Sequence, residues 1–557
     1  MRRHFLTYLL IIFIIIIGVY LTTKATRENS WDGWGFGSAQ TMMSIKHWVN
    51  DGWANHYFLF IPAGYSKTTS YFDDPNLEQH AWVDVTGSKS AKQTYYTHYP
   101  AGYLFPLGFL MELGFENRFW FRLFQILISL GSLFLLYKFF ILISNKAIAF
   151  FAVLFYMISV PFLDFADSLA NMPIDDLFRF IILFLSVLAI KNINNTKKYF
   201  TYSMWVWLSY FTLSISSYDS TFFIFFWLIG LDVLIVKNFP WKKWLVFACA
   251  PILAFNIQII QNSWYLGFSN MLSDFFGAFN AIPLASNSGQ NFIKQRFLQG
   301  ILFPITEAFA FPFRLRYILI FIFTIVITFF KLRKIKYISV AIPDLYKYAL
   351  LLGGSAFFQA LILTDNHPYK GRLLGIFTSF LIGILIFSTY QLVKNKPMQK
   401  ALILVLISLS IFMWSLQANR TFAYIKHWPN NTYDQRKIDF ADELKNFLKP
   451  LTLEDVVMFT MLPSESYGES ITPTMARYYD MYYYDMPILY FDNKEDLVRD
   501  FTYLKEISKY HFSALMILPN EEEVKTLIDL IYTKSPEKNK DEIQTIIIQD
   551  KKVLIIP

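Results

Sequence analysis

Long apolar runs separated by short polar or basic turns repeat along the first three quarters of the chain. They cover residues 5–22, 118–142, 147–163, 177–191, 199–216, 220–236, 244–262, 316–330, 345–364, 372–392 and 401–417. A helix crossing a 30 Å hydrocarbon core needs about 20 apolar residues, so the shorter runs extend into their flanks. The pattern predicts a mainly α-helical polytopic membrane protein with about eleven transmembrane helices. After residue 420 the period changes. Asp439–Leu448 has helical spacing, and Asp455–Met461, Ile488–Phe491 and Ala514–Leu518 are extended runs. Helical patterns cover Thr472–Tyr484, Lys494–Ser508 and Glu521–Tyr532, and Gln544–Ile556 has the form of a terminal hairpin or paired strands. Alternating types of this kind predict a small soluble α/β domain over 421–557, following a membrane domain over 1–420.

Composition agrees with the pattern. Of 557 residues, 55% are hydrophobic, 19% aromatic and only 17% charged. The net charge of +8 does not indicate nucleic acid, because Lys and Arg gather in short turns between apolar runs. That is how cytoplasmic loops meet anionic lipid. The single cysteine, Cys249, lies inside an apolar run and excludes a disulfide within the chain. The basic start Met1–His4 and the apolar stretch to Tyr20 fit a cleaved signal peptide or an uncleaved signal anchor; the lack of an Ala-x-Ala site and the length of the run favour the anchor.

Segment 101–115 decides the topology. It holds Pro106 and three glycines and would extend only about 22 Å as a helix, so it is expected to lie on the membrane surface. One set of short loops then carries 15 Lys or Arg, and the alternate loops 164–176, 217–219 and 365–371 carry only Lys370. The basic set belongs in the cytoplasm. The N-terminus is then inside, and the outer regions are the first loop 23–117, the second loop 164–176, the large loop 263–315 and the tail. No internal repeat of the transporter kind is visible.

Several outer residues could carry chemistry. Asp32 follows the first span; it could cap a helix starting near Gly33 or serve as a general base for a hydroxyl. His98-Tyr99-Pro100 closes the same loop, as an interfacial aromatic belt or a phosphate contact. Asp164, Asp167, Asp175 and Asp176 crowd the second loop, where acids at membrane depth are costly and usually functional. Asp175 and Asp176 also suit a helix N-terminus. Asp219 fits a short turn. In the segment Asp365–Arg372, His367, Tyr369, Lys370 and Arg372 could grip a phosphate, or form a solvated turn with a snorkelling Arg. Asp232 is the deepest charge in a span, near its cytoplasmic end. No Walker loop, dinucleotide fingerprint or zinc motif is present.

In these features residues 1–420 resemble the GT-C glycosyltransferases, polytopic enzymes that use polyprenyl-phosphate sugars. The resemblance is closest to the protein O-mannosyltransferase and lipid A aminoarabinose transferase group. It rests on the first-loop acid Asp32, on His98-Tyr99-Pro100, on the acidic loop Asp164 to Asp176, and on His367, Tyr369 and Arg372 in a late loop. Ala101 stands where that group carries a second proline. The resemblance implies inverting transfer from a polyprenyl-phosphate-linked donor to a lipid, glycan or protein acceptor in contact with membrane lipids. Asp32, Asp175 and Asp176 would be catalytic. His98, Tyr99, Asp167, His367, Tyr369, Lys370 and Arg372 would bind substrate and phosphate, with Trp31, Trp34, Trp48 and Trp53 closing over them. No metal ligand or cofactor is assigned in this reading. A metal-dependent oligosaccharyltransferase would add a divalent cation, Mg²⁺ or Mn²⁺, but the nearest match to its Trp-Trp-Asp-Tyr-Gly motif, Tyr478–Tyr482, departs at most positions. A lipid-linked saccharide transporter or flippase, or a non-catalytic assembly protein, would share the polytopic pattern and the outer domain.

Overall fold

The computed structural model describes residues 5–32, 35–61, 82–83, 95–97, 99–275, 344–362, 371–395, 435–448, 456–461, 482–483, 488–491, 513–518, 525–526, 528–529, 544–548 and 551–556. Two compact units emerge. One combines residues 1–27, 98–105 and 116–430, and the other combines 28–97, 106–115 and 431–557.

The first unit is helical. Its elements are α1 Phe5–Ala25, α4 Arg118–Ile143, α5 Lys146–Met157, α6 Val160–Phe165, α7 Met172–Lys191, α8 Thr196–Ser216, α9 Thr221–Gly230, α10 Trp241–Leu266, α11 Leu345–Ile362 and α12 Gly371–Asn395. Three of them, α1, α4 and α10, are long and apolar enough to cross a membrane by length and composition. One side of α1 (Ile11, Ile12, Ile15, Ile16, Val19) is exposed and uniformly apolar, as lipid contact requires. The chain is an integral membrane protein. The expected spans 316–330 and 401–417 lie outside the described residues.

Local chemistry sets the helix ends. Asn117, Asn145 and Asn195 each accept backbone N–H groups at the start of α4, α5 and α8, at 2.8 to 3.1 Å. The expected single span 147–163 is two helices instead. Ser159 caps a new start and Pro161 occupies its first turn, so α5 stops at Met157. α9 passes into a π-helix, Leu231–Val236, whose buried Asp232 accepts from Lys243 Nζ at 2.8 Å and Trp244 Nε1 at 2.9 Å.

Packing is close. Phe140 stacks on Phe380 with centroids 4.8 Å apart, and Trp227 donates to Ser186 at 2.9 Å. Gly383 brings α12 against α5 so tightly that a Cβ there would lie 2.6 Å from the Ile148 carbonyl oxygen.

The second unit contains α2 Gly35–Asp51, a 3-10 turn Trp53–His56, β1 Trp82–Val83, α13 Gln435–Leu448 and strands β2 Val456–Met461, β3 Ile488–Phe491, β4 Ser513–Leu518, β5 Gln544–Ile548 and β6 Lys551–Ile556. The helix α3 Leu104–Glu112 has most of its residues here; at nine residues it is too short to cross a bilayer. One sheet runs in the order β1-β3-β2-β4-β6-β5, with β2 parallel to both neighbours and β6 antiparallel to β4 and β5. The edge strand β1 comes from the first loop, with Trp82 opposite Phe491 and Val83 opposite Tyr490. The tail therefore folds together with the first loop. Trp31 Nε1 donates to Tyr483 Oη at 3.0 Å, and that hydroxyl donates to the Glu28 carbonyl at 2.8 Å. The helical patterns 472–484 and 494–508 fall almost entirely outside the described residues.

Because the Ile148 carbonyl cannot move aside, Gly383→Ala is expected to cost about 1–3 kcal/mol of stability. Gly131→Ala, in the open middle of α4, is expected to be neutral or to stabilise by up to about 1 kcal/mol. Thermal unfolding of both variants in one detergent checks the contrast.

Candidate functional site

The start of α7 carries the densest buried chemistry. Asp175, Asp176 and Arg179 occupy its first two turns, at spacings of four and three residues that place all three on one side. Arg179 Nη1 donates to Asp176 Oδ1 at 2.7 Å, and its Nη2 pairs with Asp175 Oδ2. Arg179 Nε donates to Ser220 Oγ at 2.8 Å, and Ser220 Oγ donates to Asp175 Oδ2 at 2.8 Å. The other oxygen of Asp176 accepts from Tyr156 Oη at 3.0 Å and pairs with Arg372 Nη2. The Arg372 guanidinium also lies over the Phe162 ring, 6.0 Å from its centroid. Two carboxylates and two guanidiniums thus neutralise one another in a site where Arg372 is only 3% exposed. Three polar atoms of this cluster have no hydrogen-bond partner: Arg372 Nε, Arg372 Nη1 and Asp175 Oδ1. Buried unpaired donors and acceptors are rare in native structures and ask for an explanation.

Two further networks adjoin it in the chain. Tyr99 Oη donates to Asp219 Oδ2 at 3.0 Å, and Asn171 Nδ2 donates to Tyr99 Oη at 2.8 Å and to Ser217 Oγ at 3.0 Å. The Tyr99 loop, the acidic loop and the turn between α8 and α9 are fastened together there. Asp167 accepts from Lys24 Nζ at 3.0 Å and Arg122 Nε at 3.1 Å. Burial favours the neutral acid, but Lys24 and Arg122 outweigh it and hold the Asp167 carboxyl below the usual carboxylate range.

In the second unit Asp32 is buried, 1% exposed, and accepts from the Ser38 hydroxyl. The helix expected beyond it is described over Gly35–Asp51, with Ser38 in the first turn of that stretch. Trp31 and Trp48 are buried in this unit. A relay stands nearby in the sequence: His56 Nε2 is 3.0 Å from Asp51 Oδ2, and His56 Nδ1 is 2.9 Å from Tyr95 Oη. Burial acts to raise Asp51, but hydrogen bonds from His47 and His56 keep it well below the usual range.

The structure therefore gathers Asp175, Asp176 and Arg372 into one cluster. It places Tyr99 in a second, Asp167 in a third and Asp32 in the other compact unit. His98, His367, Tyr369 and Lys370 lie outside the described residues. Sequence reasoning does not single out Arg179, which joins both acids from inside the expected span 177–191. Its i+4 and i+3 spacing from Asp175 and Asp176 is the signal that could have found it. Lys24 and Arg122 also escape the sequence reading. Among the described residues no three His, Cys, Asp or Glu side chains come together to hold a metal ion. Asp167, Asp175 and Asp176, each met by cationic side chains, do not fit a divalent cation.

Comparison with known proteins supports the architecture. No family model matches the chain, and no curated protein sequence does. The crystal structure of ArnT from Cupriavidus metallidurans bound to undecaprenyl phosphate is similar over 99% of this chain and 98% of that chain, with 11% identity and a TM-score of 0.55. The archaeal oligosaccharyltransferase AglB from Archaeoglobus fulgidus, in complex with an inhibitory peptide and a dolichol-phosphate, aligns over 92% of this chain and 69% of that chain, with 11% identity and a TM-score of 0.49. The fold is that of the GT-C glycosyltransferases.

Removing Asp167 takes the shared buried carboxylate away from Lys24 and Arg122, so Asp167→Asn is expected to cost about 3–5 kcal/mol. The carboxylate's contribution is complete above its unfolded value of about 3.9 and is lost as pH falls through the lower folded value. Unfolding of the wild type and Asp167→Asn across pH 3–7 checks both points; the difference between them should shrink only at the acid end.

Proposed function

We propose that this chain is an inverting membrane glycosyltransferase. It moves a sugar from a polyprenyl-phosphate-linked donor to an acceptor hydroxyl of a lipid, glycan or protein. The reaction takes place at the outer or periplasmic face of a bacterial inner or plasma membrane, with the N-terminus cytoplasmic and the 421–557 domain outside. The observation that carries the reading is the unused hydrogen-bonding capacity of the buried cluster. Arg372 offers two nitrogen donors and Asp175 one carboxylate oxygen, with no partner for any of them. A ligand that presents anionic oxygens beside a hydroxyl meets both, and a sugar phosphate is such a ligand. The fold shared with ArnT, whose structure holds undecaprenyl phosphate, supports the same reading.

In this scheme the acceptor oxygen forms a bond to the anomeric carbon while the bond from that carbon to the phosphate oxygen breaks. The electron pair leaves with the polyprenyl phosphate, and the configuration inverts. Asp32 takes the acceptor proton as general base. Arg372 stabilises the charge growing on the phosphate, assisted by His98, His367, Tyr369 and Lys370. Asp176, Arg179 and Tyr156 hold Arg372 in place, and Asp175 and Tyr99 bind the sugar side of the donor. Asp167 keeps Lys24 and Arg122 paired beside them. No step runs through a metal.

Asp32→Asn is expected to keep expression, membrane insertion and donor binding while lowering transfer by about 10²–10⁴-fold; normal turnover would remove Asp32 from the mechanism. Arg372→Lys keeps the charge and loses the planar fork. It is expected to weaken binding of undecaprenyl phosphate by about tenfold or more, read as a lost thermal shift in detergent. EDTA is expected to leave transfer unchanged. A loss restored by Mn²⁺ would point instead to oligosaccharyltransferase-like chemistry.

A further inference from the structure

α8 and α10 start side by side. Lys243, in the first turn of α10, lies over the ring of Tyr199, in the first turn of α8, 5.6 Å from its centroid. Trp207 Nε1 of α8 donates to the Val246 carbonyl of α10 at 2.9 Å. α10 is long and apolar enough to cross a membrane, so its start lies at a membrane surface. The π-helix that follows α9 leads into this start through residues 237–240. That turn is firmly built. Buried Asp232 accepts from Lys243 and Trp244, and the Trp244 ring meets the Phe239 ring edge-on with centroids 4.3 Å apart.

Four exposed lysines crowd this end: Lys197 and Lys198 at the start of α8, and Lys237 and Lys242 beside the start of α10. Residues 188–205 and 233–250 contain no Asp or Glu to neutralise them. Asp232 is taken by Lys243, and Asp344, at the foot of the neighbouring α11, is taken by Lys347 at 2.6 Å. Phe200, Phe239 and Trp241, next to the lysines in the chain, are each more than half exposed. Lys237 adds an independent observation: its φ of 58° is left-handed. Glycine takes that conformation without strain and is the usual residue there. Membrane topology asks for basic residues somewhere in such a turn, not for a lysine at its left-handed position.

We infer that the paired starts of α8 and α10 form a binding site for an anionic phospholipid. Its phosphate is received by Lys237, Lys242 and the Lys197–Lys198 pair, and its acyl chains lie along exposed apolar side chains such as Phe200 and Leu245. Charge complementarity selects an anion, since four cations stand together without an acid of their own. The aromatic side chains select a lipid over a soluble anion. Phe200, Phe239 and Trp241 fit the boundary between headgroup and acyl chain, where aromatic rings gather, and give a free phosphate nothing. The site is separate from the Asp175–Asp176–Arg372 cluster and does not depend on sugar transfer.

The test titrates the full-length protein in neutral detergent at low salt with phosphatidylglycerol, phosphatidylcholine or inorganic phosphate, and follows the melting temperature. Phosphatidylglycerol should raise it, and the other two should not. Lys242→Gln and Lys237→Gly should each weaken phosphatidylglycerol binding about fivefold. Glycine suits the left-handed position, so Lys237→Gly without lipid should be about as stable as the wild type. The control is Lys146→Gln. Lys191 Nζ donates to the Leu142 carbonyl at 2.5 Å, which puts the α4–α5 turn holding Lys146 at the same end of the helices. That variant should bind phosphatidylglycerol like the wild type. An equal response to phosphatidylcholine or to inorganic phosphate would overturn the inference. So would an equal loss in Lys146→Gln, which would leave only general attraction between basic turns and anionic lipid. Unchanged binding in Lys242→Gln and Lys237→Gly would overturn it as well. A Lys237→Gly protein that fails to fold would make that lysine structural and remove it from the site; the inference falls if Lys242→Gln then binds normally.

Discussion

A carboxylate buried within a helical membrane protein cannot be left alone, and Asp176 shows what that constraint builds. Removing such a charge from water costs several kcal/mol, which only close and well-oriented partners recover. Asp176 finds them on three helices: Tyr156 at the end of α5, Arg179 one turn along α7, and Arg372 at the start of α12. Position 372 lies 196 residues beyond 176 in the chain, so this one carboxylate helps fix the mutual placement of the helices that frame the site. The close contact of Gly383 with the Ile148 carbonyl sets the same α5–α12 pair at short range further along. A polar clamp at one end of the pair and a steric fit further along act on the same interface.

The second unit is governed by a different requirement. Its sheet has parallel strands in the middle, β3-β2-β4, and the outer edges of β3 and β4 would otherwise present unpaired N–H and C=O groups. On one side the terminal hairpin β5–β6 supplies the cover. On the other side the tail has no further strand of its own among the described residues, and the first loop provides β1. The loop that carries Asp32 is thereby part of the tail's fold, and Trp31 is held by Tyr483 from the same domain. Changes in the tail would be felt at Asp32 through ordinary packing.

Much of this is legible in the chain because hydropathy is read one segment at a time. The described spans and the strands at 456–461, 488–491, 513–518 and 544–556 follow directly from apolar runs of helical or strand length. β1 is not legible: two residues at a sheet edge owe their conformation to hydrogen bonds with a partner about 400 residues away. The break at Ser159 is written in Ser159-Val160-Pro161, yet continuous hydrophobicity on both sides hides it. Asp175, Asp176 and Arg372 stand out because charges at span ends are conspicuous. Arg179 does not, because an arginine whose charge is cancelled one turn away passes unnoticed in a hydrophobic run. Lys24 and Arg122 are hidden for the same reason, since their partner Asp167 lies in another segment.

The pairing at the start of α7 also leaves something over. Arg179 is engaged through all three nitrogens, with Asp175, Asp176 and Ser220. Arg372 has one nitrogen engaged and two without a partner. If stability alone shaped this cluster, an apolar residue at 372 with one fewer acid on α7 would fill the space at lower cost, since replacing buried ion pairs by well-packed apolar groups is often neutral or stabilising. The chain instead keeps a second guanidinium that its own acids do not saturate. In the proposed function that unsaturated group receives the donor phosphate, and binding it would recover the hydrogen bonds that folding left unmade. The same reasoning separates Arg372 from Arg179, which is identical in charge and burial but is engaged through all three nitrogens: under that proposal Arg179 builds the site and Arg372 meets the ligand.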